Sequence, residues 1–279
     1  MTARTEGSPL LEAKDHAAPS VFRPENLIRE ARRQKGIAPD TVPEICVLDP
    51  DGDLVRAVRA SGQAGRCAAW ACYHTDLHVF SHEGERFGVV GCAVGAPFAV
   101  LVAEQLFVSG CRFLISVTSA GQVVPSGPTP YFVLIERALR DEGTSCHYLP
   151  PARFATAPTR LVEALFPALR RAGPPIYRGA SWTTDAPFRE TEAAIGRARA
   201  EGAVAVEMEA AALYAFAQAR GHPVLCLAHV TNQLAQVEGD FEKGEANGTN
   251  DVLRVLTAAA RAWREARAAL SQQPEGRGQ

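Results

Sequence analysis

The stretch FGVVGCAVGAPFAVLVAEQLFVSGCRFLISV, residues 87–117, contains the pattern that establishes the fold class. Its first eight residues, 87–94, form an apolar run of strand length, which the Gly-Ala-Pro turn at 95–97 ends. The Ala-, Val- and Leu-rich segment 98–109 predicts a helix, and the apolar run 112–117 predicts a second strand. Strand, helix and strand within about thirty residues form a β-α-β unit, which joins parallel strands. The sequence therefore predicts an α/β protein with a sheet that is at least partly parallel.

The alternation of strands and helices continues on both sides of this unit. Further strands are predicted at 44–48, 67–73, 78–82, 131–136, 176–180, 203–206 and 224–231, and further helices at 25–35, 54–61, 158–169, 191–201, 209–220 and 251–270. We expect residues 41–270 to form one three-layer αβα domain, with a mixed, mostly parallel sheet flanked by helices. Residues 1–40 are predicted to be an N-terminal extension with a short helix, and residues 271–279 a disordered tail.

Composition and charge restrict the class of protein. The chain has 279 residues, 47% hydrophobic and 22% charged, which is ordinary for a globular protein. A net charge of −2 gives no electrostatic argument for a nucleic acid or an anionic membrane as partner. The sequence contains neither the apolar core of a signal peptide nor a membrane span, so we expect a cytoplasmic protein. Its seven cysteines are scattered without metal-ligand spacing, so we expect reduced thiols and no metal site.

Ligands of parallel sheets bind beyond the carboxyl ends of the strands, and several such junctions carry polar residues or glycine. They are Gly52-Asp53 with Arg56, Gly95-Ala96-Pro97, Thr118–Gly121, Glu207-Met208-Glu209 and Thr231-Asn232. The fourth junction is the most informative, because it places two carboxylates and a methionine between a buried strand and an Ala-rich helix. A carboxylate there either complements the helix dipole or accepts hydrogen bonds from the paired hydroxyls of a sugar. The residues alone allow both interpretations.

The segment VAVEMEAAALYAFA, residues 204–217, resembles the hallmark segment of a known superfamily. That superfamily contains the hexameric nucleoside phosphorylases, uridine phosphorylases and methylthioadenosine nucleosidases. GDLVR at 52–56 is similar to its phosphate loop, and residues 91–121 are similar to its glycine-rich stretch ending in TAG. The resemblance implies a nucleoside phosphorylase-like fold, a nucleoside and inorganic phosphate as substrates, no organic cofactor, and a homo-oligomer (a dimer or a hexamer).

The resemblance also assigns residues to three parts of one pocket. The phosphate subsite would contain Gly52, Arg56 and Ser119, the ribose subsite Glu207, Met208 and Glu209, and the base subsite Phe188, Arg189 and Asn232. Among these, Glu209, Arg56 and Asn232 are the candidate catalytic residues. The residues themselves also allow Arg189 to be a surface arginine paired with a neighbouring glutamate.

Two positions depart from the pattern of the superfamily. Ser116 stands where its phosphorylases have a second phosphate-binding arginine, which its hydrolytic members also lack. Phosphorolysis and hydrolysis are therefore both compatible with the sequence, and Arg56 favours phosphate. Asn232 stands where purine-cleaving members have an aspartic acid, and because an amide cannot act as a general acid, we expect a pyrimidine or an unusual base. A non-catalytic nucleoside-binding protein is a further alternative.

Overall fold

The computed structural model describes residues 9–12, 14–234 and 238–271. The α-helices are α1 Pro24–Lys35, α2 Asp53–Ala60, α3 Ala96–Val108, α4 Thr159–Leu169, α5 Glu192–Ala200, α6 Ala210–Arg220 and α7 Thr249–Ser271. The strands are β1 Ile45–Asp49, β2 Gly65–Arg66, β3 His78–His82, β4 Glu85–Gly91, β5 Phe113–Gln122, β6 Tyr131–Asp141, β7 Phe154–Thr156, β8 Ile176–Thr184, β9 Ala203–Glu207 and β10 Val224–Asn232. Of the predicted disordered tail at 271–279, residues 272–279 lie outside the described residues.

The strands form one mixed sheet in the order β10-β6-β8-β9-β5-β1-β4-β3-β2, with β7 beside β6. Strand β5 runs parallel to β1 and β10, and antiparallel to the end of β9. Strand β10 pairs with β5 as well as with β6. Strands β10, β6, β8, β9 and β5 therefore form a closed ring within the sheet. Gly121 near the end of β5 consequently pairs with both Val206 and Asn232, so three strand ends meet at one place.

Helices pack around the sheet in two groups, which confirms the expected three-layer αβα fold. Helices α3 and α6 contact each other, while α7 contacts α2, α4 and strand β4. Helix α6 is buried along its whole first two turns, 210–217, because its alanines allow close approach to neighbouring strands. Helix α1 of the N-terminal extension packs against α3 and buries Ile28 and Ala31. Among the described helices, none combines the length and apolar character that a bilayer crossing needs.

Several predicted elements differ from the structure, and the strands predicted at 112–117 and 131–136 each run five residues further, to Gln122 and Asp141. The predicted strand at 67–73 is wrong, because this segment folds into turns in which the indole of Trp70 donates to the carbonyl of Thr75 at 3.0 Å. The strand predicted at 176–180 continues through the polar residues that follow it to Thr184. Burial of its hydroxyls is tolerated because Ser181 and Thr183 both donate to the carboxylate of Glu207 in β9.

Candidate active site

The ends of β5, β9 and β10 surround a cavity of about 410 Å³, which the β1–α2 loop, Pro187, Phe188 and Glu190 also line. Pockets of this size are typical of small-molecule sites. The residues in its wall that the following description uses are Asp51, Ser119, Phe188, Met208, Glu209 and Asn232. The closure of the sheet thus brings together Ser119, the Glu207–Glu209 turn and Asn232 from three separate parts of the chain.

Glu209 is the buried carboxylate of this cavity. It immediately precedes helix α6 and is only 1% exposed. Its Oε1 accepts a 2.7 Å hydrogen bond from the backbone N–H of Gly95, at the turn before α3. Its Oε2 has no hydrogen-bond partner among the described residues, and the nearby hydroxyl of Thr118 donates to the Ser119 carbonyl at 3.3 Å. A buried polar oxygen without a partner is costly, so this oxygen is available to a hydrogen-bonding group of a ligand.

The protonation of Glu209 follows from its surroundings. Burial, together with the neighbouring carboxylate of Glu207, raises the pKa of Glu209 to about 8. The neutral, protonated form of this side chain is therefore favoured in the ligand-free protein. Groups that donate hydrogen bonds to the carboxylate would favour its ionised form.

Glu207 differs from Glu209, although only one residue separates them. Its Oε1 accepts from the hydroxyls of Ser181 and Thr183, and its Oε2 accepts from the backbone N–H groups of Glu209 and Ala210, each at 2.7 Å. The protein itself therefore occupies this carboxylate. Glu207, which was predicted as a ribose ligand, holds the β9–α6 turn in place instead of offering an oxygen to a sugar.

The predicted phosphate subsite contains an unexpected carboxylate. Asp51 accepts hydrogen bonds from both donors of Ser119, at 2.9 Å from the backbone N–H and 2.7 Å from the hydroxyl. The ammonium group of Lys243 lies 3.1 Å from Asp51 and 2.6 Å from Asp53. Although burial opposes it, these carboxylates raise the pKa of Lys243. The sequence patterns did not identify Asp51 or Lys243, which are separated from their partners by long stretches of chain.

Two other residues predicted for phosphate do not line the cavity. The side chain of Arg56 is 60% exposed, and its guanidinium donates to the Asp53 carboxylate at 2.6 Å and to the Asp51 carbonyl at 2.9 Å. The backbone N–H of Gly52, predicted to bind phosphate, donates to the Asp49 carbonyl at 2.9 Å. Glycine is required here because φ is +75° and because a Cβ at this position would lie 2.7 Å from the Arg56 guanidinium.

The base end of the cavity is more open. Asn232 lies in the wall, where its Nδ2 donates to the Thr231 hydroxyl at 3.2 Å and its Oδ1 accepts from the Leu234 N–H at 2.9 Å. Phe188 lines the cavity although it is 99% exposed, so it lies at the mouth. Arg189 is exposed and is not part of the cavity wall.

The grouping of potential metal-ligating side chains is the next feature of the site. Over residues 9–12, 14–234 and 238–271, no three side chains of His, Cys, Asp or Glu are grouped closely enough to hold a metal ion. The acidic residues near the cavity are instead bonded to Ser119, Lys243 and Arg56.

A comparison with protein families matches this arrangement. The sequence model of the phosphorylase superfamily covers residues 41–269. This chain belongs to that superfamily. The matched residues include the Glu-Met-Glu turn before α6 and the turns that end β1 and β4.

Individual relatives are distant. A purine nucleoside phosphorylase of the DeoD type from Hahella chejuensis is 28% identical over 181 residues, which cover 64% of this chain and 77% of that protein. A DeoD-type enzyme from Bacillus cereus is 25% identical over 182 residues, which cover 64% and 77%. Nucleoside-metabolising enzymes are thus among the relatives of this chain.

Solved structures share the fold. Purine nucleoside phosphorylase from Toxoplasma gondii, in complex with immucillin-H, superimposes with a TM-score of 0.67 at 18% identity, covering 81% of this chain and 93% of that one. Uridine phosphorylase from Vibrio fischeri gives 0.66 at 21% identity, covering 80% and 93%. At these identities the likeness establishes the fold and not the choice of base.

Proposed function

We propose that this protein cleaves the N-glycosidic bond of a nucleoside and releases the free base. The observation that carries the proposal is the unpartnered Oε2 of Glu209, buried in the cavity wall beside Met208. A vicinal diol supplies two O–H donors to one carboxylate, and the thioether of Met208 offers an apolar surface for the sugar ring. The named activities of the relatives agree with this chemistry.

Glu209 would act mainly by electrostatics. Cleavage passes through a sugar that carries positive charge near C1′, and an anionic carboxylate on the 2′ and 3′ hydroxyls stabilises that charge more than it stabilises the ground state. Diol binding would also favour ionisation of Glu209, because its hydroxyls donate to the charged form. We propose that no metal or organic cofactor takes part.

For the base, we propose a pyrimidine or an unusual base. Asn232 supports this choice, because its amide lies in the cavity wall and cannot protonate a leaving purine as a carboxylic acid can. Phe188 at the cavity mouth would cover the base. We further propose a cytoplasmic homo-oligomer, which the composition and the resemblance to nucleoside phosphorylases favour.

Two acceptors for the sugar are supported by different observations. Inorganic phosphate is favoured by the presence of Arg56 and Ser119 and by the names of the relatives, which are phosphorylases. Water is favoured by Ser116, which replaces a phosphate-binding arginine, and by the carboxylate of Asp51 on Ser119.

The proposal is tested by base release from uridine, thymidine, cytidine, inosine, adenosine and methylthioadenosine, with and without phosphate. Base release from at least one of them, strongest for a pyrimidine, is the expected result. Glu209→Gln is the matched control, since it keeps the shape and removes the charge. Nucleoside binding without any base release would instead support a non-catalytic binding protein.

A further inference from the structure

The phosphate subsite of this protein already contains an anion of its own. The two oxygens of the Asp51 carboxylate accept from the backbone N–H and the hydroxyl of Ser119, at 2.9 and 2.7 Å. These are the two donors that the resemblance assigns to phosphate. Asp51 is part of the cavity wall, with a side chain only 29% exposed, so its carboxylate holds both of these donors inside the cavity.

The two cations near Asp51 are already paired with carboxylates of the described part of the chain. Lys243 lies within 3.1 Å of Asp51 and within 2.6 Å of Asp53, and Arg56 donates to Asp53 at 2.6 Å. Buried Asp49 lines the same pocket beside Asp51 and Asp53, so two cations face three carboxylates. A phosphate entering this half-buried cluster would bring up to two further negative charges, which like-charge repulsion opposes.

Ser116 provides a second, independent observation. It lies on β5, at the position where the resemblance implies a phosphate-binding arginine in phosphorylases. Here the position holds a buried hydroxyl, and its Oγ has no hydrogen-bond partner among the described residues. The cation that would compensate an incoming phosphate is therefore replaced at this position by a neutral group.

We propose that Asp51 is a tethered substitute for phosphate and that it makes water, rather than phosphate, the acceptor of the sugar. This inference rests on the proposed N-glycosidic cleavage. A group held on the same chain competes at an effective concentration of at least the order of millimolar, and it does so continuously. Phosphate would have to displace Asp51 from both donors of Ser119 before it could bind.

The reaction that follows from this assignment is a hydrolysis. The oxygen of one water forms a bond to C1′, and the C1′–N bond breaks with its electron pair leaving on the base. One proton of the water ends on the base and the hydroxyl stays on the sugar, so the products are a free sugar and a neutral base. Asp51 determines the acceptor and does not itself form a bond to the substrate.

The test combines calorimetric titration of the full chain with inorganic phosphate and identification of the sugar product. For the wild type we expect no saturable phosphate binding, base release that does not depend on phosphate, and a free sugar as product. For Asp51→Ala we expect phosphate affinity to rise by about 10- to 100-fold, because both Ser119 donors are freed. Asp51→Asn, which keeps one acceptor and loses the charge, should give a smaller gain.

Asp53→Asn is the matched control, since it removes a negative charge from the same cluster and leaves Asp51 on Ser119. A gain in phosphate affinity as large as that of Asp51→Ala would overturn the proposal, because charge alone would then explain it. Phosphate-dependent release of sugar 1-phosphate by the wild type would overturn it as well. If no nucleoside releases its base, the proposed function fails, and the titrations still decide whether Asp51 excludes phosphate.

Discussion

The sugar end and the anion end of the cavity use their carboxylates in opposite ways. At the sugar end, Glu209 is 1% exposed and keeps one oxygen that has no partner within the described chain. At the anion end, Asp51 fills both donors of Ser119 and pairs with Lys243. One end is incomplete until a ligand arrives, whereas the other is complete without one. The sequence pattern of a family can therefore be kept at one end of a site while the side chains at the other end form different hydrogen bonds.

The largest expected effect belongs to Glu209. Glu209→Gln should lower kcat/KM for base release by about 10²- to 10⁴-fold, because two hydrogen bonds to a charged acceptor are lost. Steady-state kinetics on the best nucleoside of the panel measure this loss, and an unchanged Tm would show that the fold is intact. A reduction of less than threefold would mean that the open oxygen of Glu209 does not hold the sugar.

The contrast between an open and an occupied carboxylate also separates Glu209 from Glu207 within a single turn. Glu207→Gln should lower the free energy of unfolding by about 2 to 4 kcal/mol, because the amide cannot accept from the four donors that the carboxylate satisfies. Urea unfolding measures this change, and Ser181→Ala, which removes one of these bonds, should cost about 1 kcal/mol. A fully stable Glu207→Gln variant without activity would instead make Glu207 a substrate ligand.

The two ends should also respond to pH with opposite signs. The pKa of Glu209 is raised from 4.5 to about 8 by burial and by Glu207, so the folded state binds this proton more tightly than the unfolded state. Its contribution to stability is therefore complete below about pH 4.5 and is lost as the pH rises through 8. Burial raises the pKa of Asp53, but Lys243 and Arg56 outweigh it and hold the pKa below 3.8. That contribution is present above pH 3.8 and is lost as the pH falls through the lowered value.

Thermal unfolding from pH 3 to 9 separates these two limbs. Glu209→Gln should flatten the decline between about pH 4.5 and 8, and Asp53→Asn should flatten only the acidic limb. If Glu209→Gln leaves the neutral limb unchanged, Glu209 is ionised in the ligand-free protein and the contrast between the two ends is smaller than the structure indicates.

The smallest effect is expected at Arg56. Its guanidinium is largely exposed and paired with Asp53 outside the cavity wall, so Arg56→Ala should change kcat/KM by less than about fivefold. Steady-state kinetics with and without phosphate measure this change in kcat/KM. A loss of about 100-fold confined to reactions with phosphate would show that Arg56 turns toward a bound phosphate and that the anion end is open.

Most of the architecture could be predicted because its signals are local. The apolar runs and turns of residues 87–117 located β4, α3 and β5 to within a few residues, since periodicity and turn residues depend only on neighbours in the chain. The closure of the sheet through β10 could not be predicted, because strand pairing depends on the packing of the whole chain. The error after residue 180 has the same origin, since a polar strand is stable there only because Glu207 accepts its hydroxyls.

The fold class, the superfamily and the place of Glu209 could all be read from the chain alone, because the Glu-Met-Glu turn and its helix are contiguous. Which donors are free depends on the folded arrangement. Ser119 meets Asp51 across 68 positions, Gly95 meets Glu209 across 114, and Lys243 meets Asp53 across 190. A hydrogen-bonding group satisfies its nearest partner in space, and residue type alone does not reveal that partner. Ser119 therefore matches a phosphate ligand in sequence while binding a carboxylate in the fold.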